Sequence, residues 1–191
     1  ERTIIFINNA VHGNEPDGVD ATMLLFRNLA QNEIKLSGNV MVVTIPAYNI
    51  GGMQENRKES AAHYNLDNDF VKADVENTLS FAKIFQEVQP DIFIDNQVSR
   101  KEEYQYTLSY SFSNKQKLGA FLGGYIENVL TPRLADTLLN RSDTFKKDTH
   151  HKPFRHLIVD ETIGRANNAI GYASLWNCIG VRLNTHIFQS Y

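Results

Sequence analysis

His12-Gly13-Asn14-Glu15-Pro16-Asp17-Gly18 reads as a loop with a strand before it and a helix after it. The run Thr3-Ile4-Ile5-Phe6-Ile7 that leads in is short, rich in β-branched residues and bounded by polar ones, the pattern of a buried parallel strand. Beyond the loop, Val19, Met23, Leu24, Phe26 and Leu29 recur at helical spacing. His12 and Glu15 are therefore expected at the carboxyl end of a strand, where open α/β sheets bind their ligands. An imidazole and a carboxylate three residues apart in a tight loop can point at one divalent ion, since zinc accepts nitrogen and oxygen ligands at about 2 Å. The same spacing also suits a His and a Glu that only cap a turn. Gly13, Pro16 and Gly18 shape the loop and tilt the reading towards a metal or catalytic role.

Length and composition set the frame for that loop. A chain of 191 residues holds one well-cored domain and is short for two. Hydrophobic residues make up 42% and charged ones 21%, as in ordinary globular proteins. The formal charge of −3 and scattered basic residues give no electrostatic reason for a nucleic-acid partner. No apolar run approaches a membrane span. A single cysteine, Cys178, excludes an intrachain disulfide and any multi-cysteine metal site, and its apolar setting from Ala173 to Ile179 points to a buried, inert thiol. The chain begins at Glu1 on the edge of a strand, which reads as part of a longer parent. Asn140-Arg141-Ser142 matches the glycosylation acceptor pattern, one short enough to arise by chance.

Further along, Asn39 to Ile45 is a second strand closed by Pro46. The polar stretch from Ala47 to Lys72 has little periodicity, and a loop of that length inside a domain tends to be functional. Ala73 to Glu87 shows an apolar helical face, and Ile92-Phe93-Ile94 is a third buried strand running into Asp95-Asn96-Gln97. Tyr104 to Tyr110 alternates as an edge strand, with Tyr104, Tyr106 and Tyr110 sharing one face. Lys115 to Leu130 follows as a helix with Leu118, Phe121, Leu122, Tyr125, Ile126 and Val129 turned inward. Arg133 to Lys152 gives no clear assignment. Phe154 to Val159 and Val181 to Leu183 read as strands and Ala169 to Cys178 as a helix carrying Trp176 into the core. Alternating strands and helices predict an α/β fold: a single domain, 1–191, with a mixed, mostly parallel twisted sheet flanked by helices on both faces.

Several stretches together resemble the zinc carboxypeptidases. They are Ile7-Asn8-Asn9 leading into His12-Gly13-Asn14-Glu15-Pro16-Asp17-Gly18, Ile45-Pro46-Ala47-Tyr48-Asn49-Ile50-Gly51-Gly52, Asn65 to Lys72, Pro90 to Ser99, Tyr104 to Leu108, Gly171-Tyr172-Ala173 and Asn184-Thr185-His186. They occur in the family's order over nearly the whole chain. The resemblance implies a zinc ion held by His12 and Glu15, and it puts Gln97 where the third ligand, a histidine, falls. It sets Asp67-Asn68 at the Asn-Arg pair that grips a substrate's terminal carboxylate, and Asn184 at the general base. Arg57 is the nearest counterpart of the arginine that polarises the scissile carbonyl. Tyr172 is expected at a substrate-binding position, and Arg165, in the loop before the last helix, is a candidate replacement for the lost carboxylate anchor.

Three of those positions have lost the chemistry their roles require. A neutral Gln carbonyl is a poor zinc ligand, Asp67 repels a carboxylate where a guanidinium would bind it, and an amide at 184 cannot take a proton from water. Two expectations result. One is a zinc-dependent hydrolase for a C-terminal peptide or related small amide bond, with Asp95, Gln97 or another histidine, His63 foremost, completing the metal shell and Glu161 recruited as base. The other is a catalytically impaired binding module that keeps the cleft. His150-His151 reads as exposed, and His186 as packed near the cleft floor. The resemblance favours a secreted or periplasmic location. Oligomeric state has no signature in the sequence.

Overall fold

A computed structural model describes the backbone of residues 2–99, 106–140, 152–156 and 165–186, and the side chains of 2–99, 108–138 and 165–185. Six strands form one sheet: β1 (Thr3–Asn9), β2 (Val40–Ile45), β3 (Ile92–Ser99), β4 (Tyr106–Phe112), β5 (Lys152–His156) and β6 (Ile179–His186). Their order is β2-β1-β3-β6-β4-β5, and only the β4–β6 pairing is antiparallel. The helices are α1 (Asp17–Ala30), α2 (Ile50–Gln54), α3 (Glu76–Val88), α4 (Gly119–Tyr125), α5 (Thr131–Asn140) and α6 (Ala169–Leu175).

Strand alternation divides the interior in two. On one face Phe6 and Phe93 join Phe81 and Phe85 of α3 and Tyr172 of α6 in an aromatic core, with Phe81 in contact with six other rings of the cluster. On the other, Ile92, Ile94, Val181 and Leu183 pack with Leu118, Ile126, Leu130 and Leu134 from the α4 to α5 region. Offset and edge-to-face ring pairs add about 1 kcal/mol each beyond area burial.

Local sequence explains several element ends. Asp17 and Asp20 in the first turn of α1 and Arg27 in its last complement the helix dipole. Gln89 caps α3 in the left-handed conformation, with φ of 47°. Asn168 begins α6 by accepting the Gly171 N–H at 2.8 Å.

Some expectations are corrected. The Tyr104–Tyr110 stretch contributes β4, which is an interior strand between β6 and β5 and not an edge. The helix from Lys115 opens with a 3-10 turn (Lys115–Leu118), passes through a π-helical turn (Ile126–Leu130) and continues as α5 into the segment that gave no assignment. Leu118, Leu122 and Ile126 carry the inward face, and Phe121 is 86% and Tyr125 42% exposed instead of inward. Trp176 is half exposed at the end of α6, lying against Phe85 and Tyr172. Cys178 is buried as expected, and burial pushes its thiol pKa up. Among the described residues no helix is long and apolar enough to cross a membrane.

Candidate functional site

β1 delivers the His12 loop at its carboxyl end. The chain turns at Ala10, whose φ is 54°, and presses onto α2 so closely that a Cβ on Gly13 would lie 2.1 Å from the carbonyl carbon of Gly52. Only glycine permits that approach. Asn49 then ties three segments together, its amide N–H groups donating to the carbonyls of Val11, Lys58 and Glu59 at 3.1 to 3.2 Å. The loop is thus held by backbone contacts before any charged side chain is considered.

His12 sits between two carboxylates. Its Nδ1 lies 2.7 Å from Glu15 Oε1 and its Nε2 lies 2.5 Å from Asp67 Oδ2. Glu15 uses its other oxygen to accept the Val98 N–H of β3 at 2.9 Å. Asp67 arrives on a 3-10 turn (Leu66–Asn68), opened by Asn65 accepting the Asp67 N–H at 3.0 Å, and Lys58 Nζ stands 3.4 Å from its Oδ2. Burial alone would lower the imidazole pKa, but the bonds to Asp67 and Glu15 outweigh it and raise His12 to about 9. Burial likewise works to raise Asp67, and the His12 bond with the charges of His12, Lys58 and Arg182 brings it down to about 2. At neutral pH the cluster is an imidazolium donating both ring protons to carboxylates.

A second charged pair lies in the sheet itself. Asp95 of β3 is fully buried, and its Oδ2 accepts from Gln97 Nε2 at 2.9 Å and from an Arg182 Nη2 on β6 at 3.3 Å. Burial raises Asp95 to about 6 against the pull of Arg182. Asp95 and Arg182 face each other in register. The sequence signal for this pair was a charge directly after the apolar run Ile92 to Ile94 and one inside Ile179 to Leu183, and Arg182 was missed because nothing local says which charge it meets.

The other expected site residues scatter. Arg57 is tied within its own loop: Nη2 donates to Ala61 O at 2.6 Å and lies 2.8 Å from Glu55 Oε2, while Nη1 lies 3.2 Å from both His63 ring nitrogens. His63 is thus laid against a guanidinium. Asn68 Oδ1 accepts from Asn167 Nδ2 at 3.3 Å, and Arg165 is exposed just before α6. Tyr172 is buried in the aromatic core, 5.4 Å from the Phe85 ring. Asn184 pairs in register with Gln97 on β3 and Ser109 on β4. Glu161, His150, His151, Tyr104, and the side chains of Tyr106 and His186 lie outside the described residues.

A catalytic zinc centre takes three protein ligands and leaves one position open. His12 Nδ1 and Glu15 Oε1 converge, but Gln97 turns its amide nitrogen to Asp95, and among the described residues no group of three His, Cys, Asp or Glu side chains could hold a metal. The described donor set therefore does not fit a complete zinc site.

No family model matches the chain. A probable carboxypeptidase 2 from Arthroderma benhamiae is 25% identical over 117 residues, 60% of this chain and 21% of that protein. A metallo-carboxypeptidase from Pseudomonas aeruginosa superposes with a TM-score of 0.72 at 14% identity over 97% of this chain and 48% of its own. A succinylglutamate desuccinylase from Chromobacterium violaceum superposes at 0.59, with 11% identity over 100% of this chain and 58% of its own. The fold is that of the metallo-carboxypeptidases, and the distant sequence relatives carry the name carboxypeptidase. The chain spans about half the length of the solved structures and about a fifth of the curated relative.

Proposed function

We propose that the protein is a carboxypeptidase-like binding protein that receives a peptide or small amide at the carboxyl ends of its strands and is impaired in hydrolysis. One observation carries this reading: both ring nitrogens of His12 are engaged by carboxylates, while Gln97 donates to Asp95 instead of joining them. Water activation needs a group that polarises the water and one that takes its proton. Here both ring nitrogens of His12 are taken up by carboxylates, and the position of the base is the amide of Asn184. What the cluster does supply is a rigid wall, with His12 joining the β1 loop, the Asp67 turn and, through Glu15, β3. Lys58 and Arg182 offer positive charge beside it for an anionic or dipolar ligand group.

The second reading is a zinc hydrolase, favoured by the 2.7 Å approach of His12 Nδ1 and Glu15 Oε1 and by Asp67, which holds the other ring nitrogen as carboxylates do for metal-bound histidines. Elemental analysis of the dialysed protein beside a His12→Ala control separates the two. We expect zinc far below one per chain and no difference from the control. A full zinc per chain that the control loses would overturn the binding-protein reading in favour of the hydrolase.

A further inference from the structure

The end of the sheet away from the His12 cluster carries a cavity of about 230 Å³, lined by Phe85, Gln89, Pro90, Asp91, Trp176 and Asn177. It lies where α3 leads into β3 and α6 leads into β6, and Ile92 and Ile179, the first residues of those strands, pair in register. Two helices therefore end side by side at one opening. Gln89 and Asn177 follow them in the left-handed conformation, with φ of 47° and 54°. Glycine is the usual residue at such a helix end, and both positions here bring an amide side chain to the lining instead.

Four features of the cavity carry the same sign. A helix leaves its last carbonyls without helical partners and bears a partial negative charge at that end, and neither α3 nor α6 has a basic residue in its last turn to answer it. The Asp91 carboxylate adds a full negative charge. Its Oδ2 accepts the Ile4 N–H at 2.8 Å, and no Lys, Arg or His lines the cavity. Trp176 supplies an aromatic face, the negative part of a ring's quadrupole. Its indole is set against Phe85 and Tyr172, with ring centroids 6.4 and 6.2 Å away, while 48% of the residue stays exposed. A ring seated on two buried neighbours is a fixed platform.

That pattern selects a cation. A carboxylate or phosphate would meet Asp91 and two negative helix ends, and a neutral group would leave the charge unanswered. Among organic cations, a quaternary ammonium has no N–H to give, and a primary ammonium is a compact point charge with three donors. A guanidinium is flat, stacks on an indole and carries five N–H donors in a rigid fork. Gln89, Asp91 and Asn177 each have a side-chain oxygen that accepts from such donors.

We propose that this cavity is a guanidinium-binding site, in which Trp176 and Asp91 hold an arginine side chain or a free guanidino compound. It is separate from the cleft and stands whether the cleft binds or hydrolyses its ligand.

Trp176 is the chain's single tryptophan, so its fluorescence reports on the cavity directly. The protein is titrated with N-acetyl-argininamide, methylguanidinium, N-acetyl-lysinamide and N-acetyl-citrullinamide, following tryptophan emission and, in parallel, the heat of binding. Citrulline keeps the shape of arginine and lacks its charge. We expect saturable binding of both guanidino compounds, with N-acetyl-argininamide at least about tenfold tighter than the lysine and citrulline derivatives. Tighter binding of N-acetyl-argininamide than of methylguanidinium supports the site with a peptide's arginine as its source, and equal binding supports it with the free ion. Asp91→Asn, which keeps an oxygen for the Ile4 N–H, should weaken binding about tenfold, and Trp176→Leu, read by calorimetry, roughly threefold. Gln89→Gly suits the left-handed backbone and should weaken binding severalfold, which keeps the test decisive if either other variant fails to fold. Lysine or citrulline binding as tight as arginine, undiminished binding by Asp91→Asn or by Gln89→Gly, or no saturation with any of the four compounds would each overturn the site.

Discussion

Two buried polar regions lie beside each other at the strand ends, and they are completed in opposite ways. In the His12 cluster each charge faces an opposite one at hydrogen-bonding distance, and the loop, the Asp67 turn and β3 are joined through it. In the row that Asn8, Asp95, Arg182 and Ser111 form in register across β1, β3, β6 and β4, the side chains are as deeply buried and carry free atoms. Low dielectric strengthens a paired group and penalises an unpaired one, so the first region acts as a structural clamp and the second does not.

The largest effect expected from this contrast is at His12. His12→Ala leaves the buried Glu15 and the partly exposed Asp67 without their common partner, and the loss should be about 3 kcal/mol in urea unfolding. A change under about 1 kcal/mol would remove the clamp from the argument.

Next in size is the pH dependence of stability. His12 rises in the folded state from 6.5 to about 9, so its contribution is full below pH 6.5 and is lost as pH rises through 9. Asp67 falls from 3.8 to about 2, so its share is present above 3.8 and is lost as pH falls through 2. Asp95 is raised from 3.8 to about 6, which makes the fold gain stability as pH drops from 6 towards 3.8. Urea midpoints measured from pH 3 to 10 should therefore decline in two limbs as pH rises. Asp95→Asn should abolish the lower limb alone, and a profile unchanged by it would show that Asp95 is not held against its charge.

The smallest effect is expected at Ser111. Its hydroxyl has no partner to lose, so Ser111→Ala should alter stability by less than about 0.5 kcal/mol. A loss above about 1 kcal/mol would mean that the row is already satisfied and would erase its difference from the clamp.

Much of the architecture was legible because it is written in local periodicity. Thr3 to Ile7 and Ile92 to Ile94 read as buried strands, and both are central in the sheet. Periodicity failed on the helix after Lys115: the π-helical turn at Ile126–Leu130 is invisible to a fixed 3.6-residue repeat, and Phe121 of α4 lies outside although it is apolar. It also failed at β4, since alternation describes the faces of a strand and not the number of its neighbours. In the candidate site, His12 and Glu15 were found together because three residues in one loop suffice to bring them close. Tyr172 and Arg57 were assigned by resemblance; in the fold Tyr172 packs against Phe85 and Arg57 donates to Ala61 O.

By itself the sequence determined the α/β class, the place of the His12 loop at a strand end, and the residue types available there, because these depend on contacts a few residues apart. Only the tertiary structure decided what those residues meet. Asp67 lies 55 positions from His12, and Arg182 lies 87 from Asp95. Hydrogen bonds form within about 3 Å, and proximity at that scale between distant positions is set by strand order and register, which the composition of no single segment encodes.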